Sequence, residues 1–551
     1  MTDPHSTPSA AGGVDRPTGI FRSTALEQSL GTYLPATVAI RLLNFGRIWI
    51  LTWFMTQQQF GLFTLVLLVT NVLTPLCSLG LNEAIARYVP QHEQQGSAAA
   101  FARKSCRPLL AFMLGGVALI LLFSPVLGEL FFLQQFSGEA ANAGAAGDAL
   151  QLARLSGVVI GLLVVYFYLL ALVKGLRMFS ALSRLELAHS LLFLGGCGLM
   201  ILTGDLTASA LTIVYAVSLV IPIAYFGPRL IHLFRHWQAQ TQPLADGGLA
   251  AKLLKFSIWT TLAGVTWQVL IYYPAWFLNK VHGAEAVAVF GAVRQVGQFA
   301  LIAAAAVATV VISTVTNTWE SRGREVAERQ LSLAFRGTCL GLWFLCAVVV
   351  LFKDLIILMF SPAYAPGAAI LPLQALFFLL AAFLAFLPGH FHLQEKTRYM
   401  FWPLIAGVLA NVMLAYWLAG PRQAIIQAST TWQAVGRILS AVFPVGFSDP
   451  QGLDSAAWCG VFAMCVATTM SLALIRAKCC RLDRGSYIVI AASILLVTKP
   501  WILFIGVIVI ILTALRTELI FQADERRRII GYVVESLRHI PALGRLGRRD
   551  A

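Results

Sequence analysis

Apolar runs recur from the first fifty residues to beyond residue 500, separated by short polar or charged stretches. Most are about 18 or more residues long, enough to cross a bilayer as a helix. Most lack the polar face that a helix on a large soluble core would carry. The pattern predicts fourteen helices, near 31–55, 60–82, 108–128, 153–173, 186–203, 209–227, 256–279, 287–317, 338–360, 367–389, 400–419, 455–476, 487–498 and 501–519. Basic residues alternate along the series. The loops after the even-numbered helices carry Arg87, Arg103, Lys104 and Arg107; Lys174, Arg177 and Arg184; Arg229, Arg235, Lys252 and Lys255; Arg322, Arg324, Arg329 and Arg336; Lys396 and Arg398; Lys478, Arg481 and Arg484. The intervening loops are poor in Lys and Arg: 129–150 holds Glu129, Glu139 and Asp148 but no base. Positive charge stays in the cytoplasm, so both termini are expected there. The last two helices form a hairpin turning at Thr498-Lys499-Pro500, or else one long tilted span; the basic tail with Arg526, Arg527 and Arg528 favours the hairpin.

The same pattern repeats within the chain. A shift of 227 positions pairs Trp49 with Trp276, Leu51 with Leu278, Phe63 with Phe290, Ile85 with Ile312, Glu93 with Glu320 and Gly96 with Gly323. Two related halves are expected, six helices at 29–235 and six at 252–476, the second with an external insertion at 420–454. A polar cytoplasmic segment, 1–28, precedes them and lacks an apolar signal region. The extra helix pair 487–519 and a basic cytoplasmic tail, 520–551, follow. In the insertion, 425–443 has partial helical periodicity and reads as an interfacial helix, a lid or a plain surface insertion. Residues 524–540 set Ile529, Ile530, Val533, Val534, Leu537 and Ile540 on one side, which suits a helix on the inner leaflet or a short packed tail.

Composition agrees with a membrane chain: 58% of residues are hydrophobic, only 12% are charged, and the mean hydropathy is +0.77. Soluble proteins are about 25% charged. The net charge of +15 points to anionic membrane lipids and not to nucleic acid. None of the nine cysteines has metal-ligand spacing. The adjacent Cys479 and Cys480, in a basic loop, read as an ordinary reduced pair or a lipidation site. His390 and His392 are a weak metal signal. No phosphate-binding G-x-x-x-x-G-K-[ST] loop and no H-E-x-x-H occur, so no cofactor is expected and the chain is read as a transporter, not an enzyme.

Several stretches together resemble the polysaccharide transporter branch of the multidrug/oligosaccharidyl-lipid/polysaccharide flippase superfamily. They are Gln57-Gln58-Gln59-Phe60-Gly61-Leu62-Phe63, Ser78-Leu79-Gly80-Leu81 followed by Ala84-Ile85-Ala86-Arg87-Tyr88, the bend Met359-Phe360-Ser361-Pro362-Ala363-Tyr364-Ala365-Pro366-Gly367-Ala368-Ala369, and Asn411-Val412-Met413-Leu414. The resemblance covers about residues 30–520. It implies an all-α polytopic fold with about fourteen spans and a central cavity between two six-helix halves. It also implies a flippase of a bacterial inner membrane that moves a polyprenyl-diphosphate-linked glycan outward by alternating access. A polysaccharide polymerase and chain-length proteins are the further partners it suggests. The chain departs from the family at Pro274, where an acidic residue is common, and at Ala288, where a glycine is expected at the turn into helix eight.

Charges inside spans are costly and need a reason. Helix one carries Arg41, Asn44 and Arg47 on a polar stripe; helix two adds Asn71. In helix seven Gln268, Tyr272 and Trp276 share a face, in helix eight Arg294 and Gln298 do, and Asn411 lies in helix eleven. These ten residues are the candidate substrate site: guanidinium groups bind phosphate in a bidentate way, and aromatic rings stack on sugars. Competing roles are snorkelling or pairing with a helix end for Arg41 and Arg47, pairing of Arg294 with Glu285 or a carbonyl, packing for the aromatics and an interhelical bond for Asn411. The repeat is unequal at this site: Arg47 aligns with Pro274, Leu67 with Arg294, and Asn71 with Gln298. Two other functions fit the composition. A cation-coupled drug exporter would need acids deep in the helices, where this chain has few; a glycan polymerase or lipid-dependent glycosyltransferase would need a richly charged external loop, and 420–454 has only Arg422, Arg437, Asp449 and Asp454.

Overall fold

In lipid a chain satisfies its backbone by closing into helix. The computed structural model describes residues 26–94, 97–133, 143–176, 178–238, 249–387, 390–391, 396–419, 452–479 and 483–527, and these contain helices and turns but no strand. Helices α1 (Leu26–Phe54), α2 (Gln57–Ser78), α3 (Leu81–Gln94), α4 (Ala98–Leu122), α5 (Ser124–Phe132), α6 (Ala143–Gly175), α7 (Phe179–Thr203) and α8 (Ala208–Gln238) come first. The run Leu249–Arg322 turns at Gly283 into α9 (249–282) and α10 (284–322). Then come α11 (Arg324–Leu351), α12 (Lys353–Leu358), α13 (Gly367–Phe386), α14 (Phe401–Ala419), α15 (Leu453–Lys478), α16 (Arg484–Ala492) and α17 (Pro500–Arg516).

Ten of the described helices are long and apolar enough to cross a membrane, and one of these, Ser257–Ala308, contains the Gly283 turn and so counts twice. With α1 and the shorter apolar pair Arg484–Val497 and Pro500–Arg516, the order of fourteen expected from the sequence is recovered. The helix limits differ in an instructive way. Arg103, Lys104 and Arg107 lie within α4, Arg229 and Arg235 within α8, and Arg324, Arg329 and Arg336 within α11, not in loops. Charge marks where the membrane ends, while the backbone bonds of a helix continue into water. At the other end of α2, Leu79 (φ 43°) and Gly80 (φ 60°) stop the helix short of residue 82. A Cβ at Gly80 would sit 2.6 Å from Thr261 Oγ1 and 3.0 Å from the Ser257 carbonyl oxygen.

The turn into α10 does contain a glycine, five residues before Ala288. Gly283 has φ 81°, a conformation L side chains rarely adopt, while Ala288 is buried within α10. The C-terminal pair folds back at Thr498-Lys499, both extended at ψ 170° and 145°, and a Cβ on Gly506 would lie 2.8 Å from Leu495. A single helix would hold those residues about 16 Å apart. Residues 1–25, most of the insertion (420–451), Cys480, His392 and 528–551, including most of the expected leaflet helix, lie outside the described residues.

Packing divides the chain into two compact units, with cuts inside α1, α2, α5 and α9 and at the start of α6. The first takes its described residues from 1–48, 69–130 and 144–265. Its core is α6, whose Ile160, Val164 and Leu172 are buried among Leu81, Phe101 and Leu185. Tyr168 also donates to the Ala102 carbonyl oxygen at 2.8 Å, which ties α6 to α4.

The second unit takes its described residues from 49–68, 131–143 and 266–551. Helix α13 runs through its middle and is buried along most of its length, with Phe383 and Phe386 edge-on to Phe335 of α11. The α1–α2 tip belongs to this unit. The Trp49 and Trp53 indoles donate to the Met359 carbonyl, the latter at 2.8 Å, Gln57 Nε2 donates to the Ala363 carbonyl at 2.7 Å, and Gly61 abuts the Ala284 backbone. Lys280, 1% exposed, donates to the Leu133 carbonyl at 2.8 Å. At the basic end, Arg336 binds Glu525 at 2.9 Å, Asp483 at 3.2 Å and the Ile520 carbonyl at 2.6 Å, which joins α11 to the segments before α16 and after α17.

Candidate functional site

In the first unit, α1 places Asn44 and Arg47 one turn apart, and Arg47 Nη1 donates to Asn44 Oδ1 at 3.2 Å. The Arg47 guanidinium carbon lies 4.1 Å from the centre of the Phe193 ring, on α7. A cation over an aromatic face replaces part of its lost hydration. Phe193 is itself fully buried and packs 5.0 Å from Tyr215; His189, 5.6 Å from Tyr215, bonds to Ser218 of α8. Arg47 therefore does not snorkel: it points into a ring-lined interior, and its Nε has no hydrogen-bond partner. Arg41 lies in the field of Glu186 of α7. Asn71 is partly buried on α2. Sequence reasoning missed Phe193, His189, Tyr215 and Ser218, because rings and hydroxyls in apolar helices look like packing until a charge is placed on them.

In the second unit, Pro274 organises the site. Proline lacks an N–H, so α9 cannot close the bond from residue 274 to the Leu270 carbonyl. Asn411 of α14 supplies the missing donor, its Nδ2 lying 3.4 Å from that oxygen. Arg294 of α10 acts at the next carbonyl, donating from Nη1 to Ile271 at 3.2 Å. Both residues thus take the bonding roles that compete with substrate contact. The rest of the Arg294 guanidinium is not consumed. Arg294 is 3% exposed, and its Nε and Nη2 have no hydrogen-bond partner. Its guanidinium carbon lies 3.9 Å from the Tyr272 ring centre and 5.7 Å from that of Phe378. It borders a small void lined also by Pro274, Gln374 and Ala456.

The structure thus brings Tyr272, Arg294 and Asn411 to the α9 kink. Gln268 and Trp276, each four residues from Tyr272, stay partly buried on α9, and Gln298 is partly buried on α10 one turn beyond Arg294; Trp276 stacks obliquely 5.5 Å from Tyr273. Among the described residues no group of three His, Cys, Asp or Glu could hold a metal. His390 is buried. Burial pushes the Cys479 thiol above its ordinary range, which makes it a poor nucleophile at neutral pH.

The fold is shared with transporters of the MOP superfamily. The lipid II flippase MurJ in an inward closed conformation superposes with a TM-score of 0.58 at 14% identity, over 90% of this chain and 99% of that one. An inward-facing multidrug resistance MATE family transporter gives 0.57 at 15% identity, over 80% and 98%. A MOP superfamily transporter from Pyrococcus furiosus, described as having a binding pocket of reversed polarity, gives 0.58 at 17%, over 83% and 97%. No curated protein sequence matches. The model of the polysaccharide biosynthesis protein family matches residues 27–319, more than half of the 551 residues. The chain, a multi-pass membrane protein with the helical fold of the MOP transporters, belongs to the polysaccharide biosynthesis protein family.

Proposed function

We propose that the protein is a flippase for a polyprenyl-diphosphate-linked oligosaccharide or polysaccharide repeat unit, carrying it from the cytoplasmic to the external leaflet of a bacterial inner membrane, with both termini cytoplasmic. The observation that carries this reading is the state of Arg294. An arginine buried in a spanning segment, with two guanidinium nitrogens unused, is expensive unless an anion visits it. Guanidinium stays charged when buried and offers paired donors to phosphate. Arg47, with its open Nε above Phe193, supplies a second such group. Membership of a polysaccharide biosynthesis family suits a glycan as cargo, and a relative in fold is named a lipid II flippase.

In this reading Arg41, Arg47 and Arg294 neutralise the diphosphate, Asn44, Asn71, Gln268, Gln298 and Asn411 bond to phosphate or sugar hydroxyls, and Tyr272 and Trp276 stack on sugar rings. The two six-helix halves, 29–235 and 252–476, alternate access between the leaflets, and a polymerase with chain-length proteins receives the product.

Vesicles holding the purified protein and a fluorescent polyprenyl-diphosphate glycan test this. Dye in the inner leaflet becomes accessible to an external quencher or glycosidase as flipping proceeds. Arg47→Gln and Arg294→Gln are expected to slow transport at least tenfold with the protein still folded. A folded wild type that moves no such lipid refutes the function, and unchanged transport in both variants removes the arginines from the site.

A further inference from the structure

A groove of about 770 Å³ opens in the first unit between α4, α6 and α8. It lies at one level, where α4 begins and α6 and α8 end. Its floor is apolar: Leu109, Leu110, Leu169, Leu172, Ile231 and Phe234 line it. The one hydroxyl there, on Tyr168, is already bonded to the Ala102 carbonyl. Gly227 presents no side chain, so α8 leaves the groove wide.

The rim has the opposite character. Arg103 and Arg107, one turn apart on α4, face the groove together with Arg235 from the last turn of α8. All three are exposed and none forms an ion pair among the described residues. By contrast, the neighbouring Arg229 of α8 is occupied. Arg229 turns back to the Tyr225 carbonyl at 2.7 Å and covers its own helix's ring at 3.5 Å. Three unpaired guanidiniums above an apolar slot between membrane helices match an amphiphile with one anionic head and a long apolar tail.

We infer that this groove is a binding site for an anionic glycerophospholipid, with the phosphodiester held by Arg103, Arg107 and Arg235 and an acyl chain lying along α4 and α8. Charge selects this occupant. A soluble anion gains nothing from the leucine floor, and a zwitterionic head brings its ammonium toward three like charges. None of the residues proposed to contact the transported lipid lines the groove, so the site is separate from the transport path and would regulate or stabilise the bundle.

The test uses the full chain in phosphatidylcholine nanodiscs doped with phosphatidylglycerol that carries a photoreactive acyl chain. Adducts are expected within 99–110, 165–172 and 223–235. Unlabelled phosphatidylglycerol should compete for them and phosphatidylcholine should not. Each basic side chain near an anionic head contributes about fivefold in affinity, so Arg103→Gln/Arg107→Gln/Arg235→Gln should weaken labelling about a hundredfold. If the triple variant does not fold, the three single variants should each show their fivefold loss. Adducts only elsewhere, equal competition by phosphatidylcholine, or unchanged labelling in the variants overturns the proposal. Displacement by a polyprenyl diphosphate but not by phosphatidylglycerol also overturns it, and assigns the groove to the transported lipid. Flipping measured in pure phosphatidylcholine vesicles reports on the proposed function independently of this site.

Discussion

Replacing Arg336 by methionine should detach residues 518–527 from the bundle. The Arg336 side chain is 3% exposed and that of its partner Glu525 is 6% exposed, with 2.9 Å between them. Methionine fills nearly the same length, so the variant removes charge and donors without opening a large cavity. It leaves a buried carboxylate unpaired, which costs about 3–5 kcal/mol, and it also removes the donor to the Ile520 carbonyl. The contact to Asp483 adds less than about 1 kcal/mol, because that carboxylate is 48% exposed and solvent screens it. Glutamine in place of Glu525 removes the stranded charge and keeps an acceptor for the Gln522 N–H, now 2.9 Å from Glu525 Oε2. Arg336→Met/Glu525→Gln should therefore recover more than half of what Arg336→Met loses. Thermal unfolding of the detergent-solubilised protein measures the loss, and limited proteolysis shows whether cleavage begins within 518–527. A single variant within about 1 kcal/mol of wild type, or a double variant no better than the single, refutes the buried clamp.

Gly283→Ala is expected to cost about 1–3 kcal/mol, since the residue stands at φ 81° and ψ −178°, and a melting curve would show it. Gly61→Ala should lower the folded yield far more than Gly46→Ala. A Cβ at Gly61 runs into the Ala284 backbone, whereas nothing lies within 4 Å of one at Gly46; equal yields would count against the packing of the α1–α2 tip. Asn411→Leu should cost about 1–3 kcal/mol with Pro274 present and clearly less beside Pro274→Ala, which restores the helix's own bond to Leu270. Additive losses in that cycle would show that Asn411 does not serve the kink.

The order of fourteen spans was legible because hydrophobic length and basic alternation record the membrane itself, and those signals are local. The candidate arginines were legible for the same reason, being conspicuous in apolar runs. Their partners were not. Arg336 meets Glu525 across 189 positions, and no periodicity in either segment announces the other. Read from sequence, Arg336 is one more base marking the cytoplasmic side; only folding shows that it is sealed among acids. Phe193 likewise gains its meaning from Arg47, 146 residues earlier. Helix ends blurred where charges extend along a helix into water, as in α4 and α11.

The repeat gains its significance from one compensated difference. On the 227-position shift of the sequence, Arg47 aligns with Pro274 and Leu67 with Arg294. The proline takes a donor away from α9; Asn411 returns one at the Leu270 carbonyl, and Arg294 donates at the adjacent Ile271 carbonyl. Leucine at position 67 could supply none. The guanidinium of Arg294 therefore has two duties that share one rigid plane: Nη1 holds a carbonyl next to the kink, while Nε and Nη2 remain open. A diphosphate drawing on the open edge would pull on the same plane that fixes the bend of α9. On the proposed function, capture of the head group and movement of the broken helix become one mechanical event in the second half. In the first half Arg47 sits over a ring and beside an asparagine of its own helix, which ties it to no kink.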